Sequence, residues 1–115
     1  MLIEVLAAKI RYAKVTGSSM DYHGSITIDQ DLLDDMGVWP WQSADINLWG
    51  EDQHGRSFRG RTYILPGKRG TGCVEANGAL AYHIIKGDII HINIFGYMSP
   101  ESAAEHEPII IESNI

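Results

Sequence analysis

Short apolar segments alternate along the chain with clusters of Gly, Pro, Asn and Asp, the pattern of a small β-rich domain. Residues 10–16 carry β-branched side chains in alternation and predict a strand; residues 25–28 predict another. Asp29 then stands at a helix N-cap position. Leu32, Leu33 and Met36 follow at helical spacing, and Gly37 sits where a C-terminal glycine belongs, so a helix of about two turns is expected. Residues 44–49 and 57–65 predict a hairpin whose tip, 50–55, is polar and rather long. Residues 66–72 hold three glycines, a proline and the pair Lys68-Arg69. A Gly-rich loop with lysine can cradle phosphate, but this one lacks the residue order of a P-loop and reads as a surface turn. Asn77 stands near the cap of a short helix over 77–81, and residues 88–95 form the most hydrophobic strand segment. Ser99-Pro100-Glu101 is a helix start, and residues 108–112 predict a closing strand. The sum is a mainly β barrel or sandwich with two or three short helices.

Size and composition fit one domain over residues 1–115: 115 residues, 44% of them hydrophobic, are enough for a real core. Fifteen acidic against nine basic residues give a formal charge of -6, which argues against nucleic acid or an anionic membrane as partner. A local basic pocket for an acidic small molecule stays open. The single cysteine, Cys73, cannot form an intramolecular disulfide and reads as a small buried hydrophobe. The histidines (His23, His54, His83, His91, His106) are scattered, none paired at helical ligand spacing, so no metal is expected and each reads as surface or packing. The first nine residues are apolar, but Glu4 interrupts them and no positive residue precedes them. They predict neither a signal peptide nor a membrane span, and a cytoplasmic protein is expected.

One dipeptide carries candidate chemistry. In Tyr22-His23-Gly24-Ser25-Ile26-Thr27-Ile28-Asp29 a serine follows a glycine. Its hydroxyl can attack the carbonyl behind it and turn the peptide bond into an ester. Elimination then cuts the backbone between 24 and 25, leaving residue 25 as an N-terminal pyruvoyl group, a ketone electrophile that no side chain supplies. Glycine removes the Cβ that would crowd the attack. Alone, Gly-Ser is a turn dipeptide, and Gly17-Ser18 repeats it without these surroundings.

The surroundings extend along the chain. Lys9, Tyr22-His23-Gly24-Ser25, Arg59-Gly60-Arg61-Thr62-Tyr63, Asn77-Gly78-Ala79-Leu80-Ala81 and Gly87-Asp88-Ile89-Ile90 follow in order, with Lys9 sixteen residues before Ser25 and Tyr63 fourteen before Asn77. In this order and spacing the chain resembles the pyruvoyl-dependent aspartate 1-decarboxylases over nearly its whole length. The resemblance implies a six-stranded double-psi β-barrel and a homotetramer with active sites between subunits. It also implies conversion of L-aspartate to β-alanine and CO2 through a pyruvoyl–substrate imine, feeding pantothenate and coenzyme A synthesis. The chain would be cut into a short N-terminal piece, 1–24, and a longer one, 25–115. Ser25 would become the pyruvoyl group, Gly24 the new carboxyl end and Tyr63 the proton donor. Thr62 and Gly78-Ala79-Leu80 would contact substrate, and Lys9 and Arg59 would face its carboxylates. Asn77, with Thr62, would position the peptide bond or the ligand. No metal, pyridoxal phosphate or other diffusible cofactor is implied, and some members mature with the help of a partner protein.

The chain departs from the family pattern in places. Where the family has Arg-Phe-Ser before Thr-Tyr, this chain has Arg59-Gly60-Arg61, and the hairpin tip upstream is longer by several residues. Arg56 and Arg61 therefore compete with Arg59, and strand alternation puts Arg59, Arg61 and Tyr63 on one face without separating the two arginines. Asn47 replaces a common tryptophan, with Trp49 two residues on. Two other readings share these residues: an unprocessed β-barrel binding module, and a pyruvoyl decarboxylase for another amino acid.

Overall fold

The computed structural model describes residues 1–22 and 24–115; His23, within the Gly24-Ser25 motif, lies outside the described residues. The strands are β1 (Ile3–Lys14), β2 (Gly17–Ser19), β3 (Ser25–Asp29), β4 (Ser43–Leu48), β5 (Arg59–Gly67), β6 (Val74–Asn77), β7 (Ile89–Met98) and β8 (Ile109–Glu112). Two helices, α1 (Gln30–Met36) and α2 (Pro100–Glu105), and a 3-10 helix (Gly78–Tyr82) complete it. The hydrogen-bonded order is β2-β6-β3-β5-β4-β7-β1-β8. This mainly β architecture is consistent with the expected barrel class; eight strands enter the order where the resemblance implies six.

Strand β5 joins the two halves. Its first part, Arg59 to Tyr63, runs antiparallel to β4, and from Ile64 onward it runs parallel to β3. The change of partner explains why β5 continues past the expected end at residue 65. By Pro66 the β4 edge is gone, so a residue without an N–H costs no ladder bond there.

Strand β1 starts well before the expected segment 10–16 and ends short of residue 16, at Lys14. It begins at Ile3, and two register shifts, at Leu6/Ala8 and Ile10/Ala13, break its alternation. Each shift changes which residues face inward, so period two fails as a signal across it. Tyr12, at the second shift, has φ 52. The short β2 and β6 were not expected; with 3 and 4 residues they carry too little pattern to stand out from the glycines around them.

Both helix starts follow the expected local chemistry. The Asp29 carboxylate accepts from the Asp31 N–H, and Gly37 closes α1 in the left-handed conformation at φ 66. Ser99 caps α2 with Pro100 in its first turn. The Gly-rich loop is filled by the protein itself: the Gly70 and Gly72 N–H groups donate to the same Asp29 carboxylate, so the chain's own anion occupies the place a phosphate would take.

The core is largely isoleucine. Ile10, Ile26, Ile28, Ile46, Ile64, Ile84, Ile90, Ile92 and Ile94 are all fully buried. Alternation on β7 sends Ile90, Ile92 and Ile94 inward and leaves His91 and Asn93 on the outer face. Cys73 is buried, as expected. No helix among the described residues is long and apolar enough to cross a membrane.

Candidate active site

Ser25 opens β3, fully buried, and faces Asn77, the last residue of β6, as an antiparallel pair. The Asn77 amide Nδ2 donates to Ser25 Oγ at 3.1 Å and to Thr27 Oγ1 at 2.9 Å. A buried amide must satisfy its donors, and here both hydrogens go to hydroxyls on one face of β3. The Ser25 hydroxyl is thereby held at the head of a paired strand. Thr27 was not singled out in the sequence, although period two places it on the same face as Ser25.

On the other flank of β3 the parallel ladder begins with Ile26 paired to Ile64. Ser25 and Tyr63 are the residues immediately before that pair, so the change of partner in β5 brings the Thr62-Tyr63 step beside the head of β3. Thr62 shares the inward direction of its neighbour Ala44, while Tyr63 lies on the other face, half-buried. Trp41 stacks on Tyr63 with ring centroids 5.4 Å apart and planes at 29°. Trp41 has φ 75, and its N–H donates to the Ile64 carbonyl at 2.8 Å. The sequence carries no signal for this contact, because Trp41 lies between elements.

Gly78, directly after Asn77, has φ 67, a conformation that favours glycine. It starts the 3-10 helix, so Gly78-Ala79-Leu80 follow directly on the Ser25–Asn77 pair. Gly24 is different: a Cβ built there would meet nothing within 4 Å. The described surroundings of Gly24 therefore leave room for a Cβ.

The three arginines separate clearly. Arg61 Nε binds Asp45 at 3.0 Å, its Nη2 reaches Glu4 at 3.3 Å, and its guanidinium lies over the Phe95 ring at 4.8 Å. Hydrogen bonds donated to Asp45 first, then to Glu4, raise its pKa further. Arg59 makes one longer contact, to Asp45 at 3.5 Å, and its side chain is 75% exposed. The expected shared face of Arg59 and Arg61 is confirmed by their common partner. Arg56 is exposed in the hairpin tip.

Lys9 is not gathered with the others. It lies between the buried Ala8 and Ile10 and points outward, in a row across the sheet from Lys9 to Asn93, Asp45 and Arg61. That row puts it three strands from β5 in the hydrogen-bonded order. Burial first, then the charges of Lys9 and Arg11, push the neighbouring His91 below its ordinary pKa. Surface clefts of about 490 and 610 Å³ lie against α1 and against Lys14 and Lys86; neither is lined by Ser25, Asn77 or Tyr63.

The chain matches the model of the aspartate decarboxylase family over residues 1–114. It is 40% identical over 113 residues to a protein of Christiangramia forsetii named aspartate 1-decarboxylase, covering 96% of this chain and 91% of that one. A protein of the same name from Neisseria meningitidis is 40% identical over 111 residues, with 96% and 84% covered. The Bacillus subtilis protein of that name is 38% identical over 110 residues, with 96% and 83% covered.

Proposed function

We propose that this chain, which belongs to the aspartate decarboxylase family, converts L-aspartate to β-alanine and CO2 on a pyruvoyl group made from its own Ser25. The observation that carries this reading is the buried Ser25–Asn77 pair directly after Gly24. Ser25 Oγ forms a bond to the Gly24 carbonyl carbon as the C–N bond breaks. Loss of the Ser25 α-proton then expels the Gly24 carboxylate, and water replaces ammonia to leave the keto group. Asn77 holds the hydroxyl in register, and the Thr62 hydroxyl is the donor suited to the tetrahedral oxyanion.

The pyruvoyl group, once formed, supplies the electron sink for loss of CO2, with no metal or diffusible cofactor. Tyr63 returns a proton to the former Cα, and Trp41 fixes the plane of its ring. Thr62 and Gly78-Ala79-Leu80 contact the substrate. Arg59, less committed than Arg61, binds one carboxylate. Lys9 serves the other from a neighbouring subunit, and its distance from β5 in the strand order supports sites shared within a homotetramer of double-psi barrels. The enzyme would work in the cytoplasm in pantothenate synthesis, maturing alone or with a partner protein.

Intact-mass spectrometry of purified protein, with CO2 release from labelled L-aspartate, tests this. Two chains, 1–24 and a pyruvoyl-headed 25–115, are expected, and Ser25→Ala should give one inactive polypeptide. An active Ser25→Ala protein would overturn the mechanism, and preference for glutamate or ornithine would overturn the substrate.

A further inference from the structure

The lengthened hairpin tip is not a free loop. Asp52, within it, has a fully buried side chain. Its Oδ1 accepts from the N–H groups of His54 at 2.8 Å and Arg56 at 3.0 Å, and its Oδ2 meets His83 Nδ1 at 2.8 Å. The His83 bond above all, aided by the two backbone donors and opposed by burial, holds the Asp52 carboxyl down to about 2. At neutral pH the carboxylate can only accept, so His83 Nδ1 carries the hydrogen. Phe58 stacks on the His83 ring at 4.5 Å and 18°, His54 stacks on Tyr82 at 4.3 Å, and Gln53 Nε2 donates to the Tyr82 carbonyl at 2.8 Å.

His83 closes the 3-10 helix that begins at Gly78, and its N–H donates to the Leu80 carbonyl at 3.1 Å. The other end of this helix has no side-chain cap. Asn77 stands at the N-cap, but its Nδ2 donates instead to Ser25 and Thr27. The helix is thus joined at its first end to the paired strand β6 and at its C-terminal end, through His83, to the tip.

We propose that Asp52 is a positioning residue that fixes Gly78-Ala79-Leu80 through His83, so that the tip sets substrate affinity; this rests on the reading of that segment as the substrate contact. A buried ionic pair can be replaced as a whole by apolar residues at little loss, whereas removing one partner strands the other, and the directed hydrogen bond between them fixes a position. Five residues of 3-10 helix, about 10 Å in length, connect His83 to Gly78.

The test uses mature enzyme. Asp52→Ala and His83→Ala should each raise KM for L-aspartate about tenfold, while kcat changes less than about threefold. Amide exchange over residues 79–84 should quicken in both, with 25–29 and 74–77 unchanged. His83→Asn, which keeps a donor at the Nδ1 position, should restore KM to within about twofold of wild type. If the alanine variants fail to fold, Asp52→Asn should still raise KM about threefold or more. Unchanged KM in the folded Asp52 variants, or alanine effects that His83→Asn does not rescue, overturns the proposal. An uncut wild type, inert toward aspartate, would instead remove the decarboxylase reading, and unchanged exchange over 79–84 would then overturn the clamp by itself.

Discussion

The Asn77 amide and the Ser25 hydroxyl lie 3.1 Å apart as facing residues at the ends of β6 and β3. Asn77→Ala removes that donor and leaves both hydroxyls of β3 without it. Chain cleavage should slow by at least about tenfold, followed as the fraction of cut chain by intact mass. Folding stability should fall by about 1–2 kcal/mol in a denaturant titration. Cleavage at the wild-type rate would exclude Asn77 from the processing step.

Trp41 is held in a left-handed backbone conformation and stacked on Tyr63. For a bulky residue that conformation costs about 1 kcal/mol or more. Since Trp41 is largely exposed, Trp41→Gly should leave stability equal or higher by about 0.5–1 kcal/mol. It should also lower kcat several-fold by freeing the Tyr63 ring. A variant both more stable and fully active would show that the stack serves neither end.

Arg59 and Arg61 point to opposite outcomes. Arg61→Ala abandons Asp45 and Glu4 and should lower stability by about 0.5–1 kcal/mol, with KM for aspartate little changed. Arg59→Ala should leave the melting temperature in place and raise KM at least about tenfold. Reversed results would assign the carboxylate to Arg61.

Asp29 joins the end of β3, α1 and the Gly-rich loop. Burial disfavours its charge, but N–H donors from Gly72, Asp31 and Gly70 and the nearby Arg69 outweigh it and lower its pKa. The unfolded chain therefore takes up this proton at higher pH than the folded one. The stabilisation is complete above the ordinary aspartate range and is lost as pH falls through the folded value. Asp52, held to about 2, acts in the same direction. Asp29→Asn should cost about 1–2 kcal/mol at pH 7, and thermal melts from pH 7 to 2 should show the gap to wild type closing. A gap constant with pH would exclude the charge as its cause.

The helix caps at Asp29, Gly37 and Ser99, the β4–β5 hairpin and the inward isoleucines of β7 were legible because each depends on neighbours within a few positions. The start of β1 was hidden by its two register shifts, and β2 and β6 by their shortness. His83 illustrates the limit at the site. Read alone it is a packing histidine; its bond to Asp52 spans 31 positions of chain.

The amino-acid order by itself determined the strand-rich class, the candidate Gly24-Ser25 dipeptide and the family, since these reside in local periodicity and in residue types at fixed spacing. Only the tertiary structure decided that Arg61 is committed to Glu4 and Asp45, that Asn77 serves Ser25 rather than capping its own helix, and that the tip grips His83. These are hydrogen bonds and ion pairs between distant segments. Their energy depends on separations of a few ångströms, and only the path of the folded chain sets those separations.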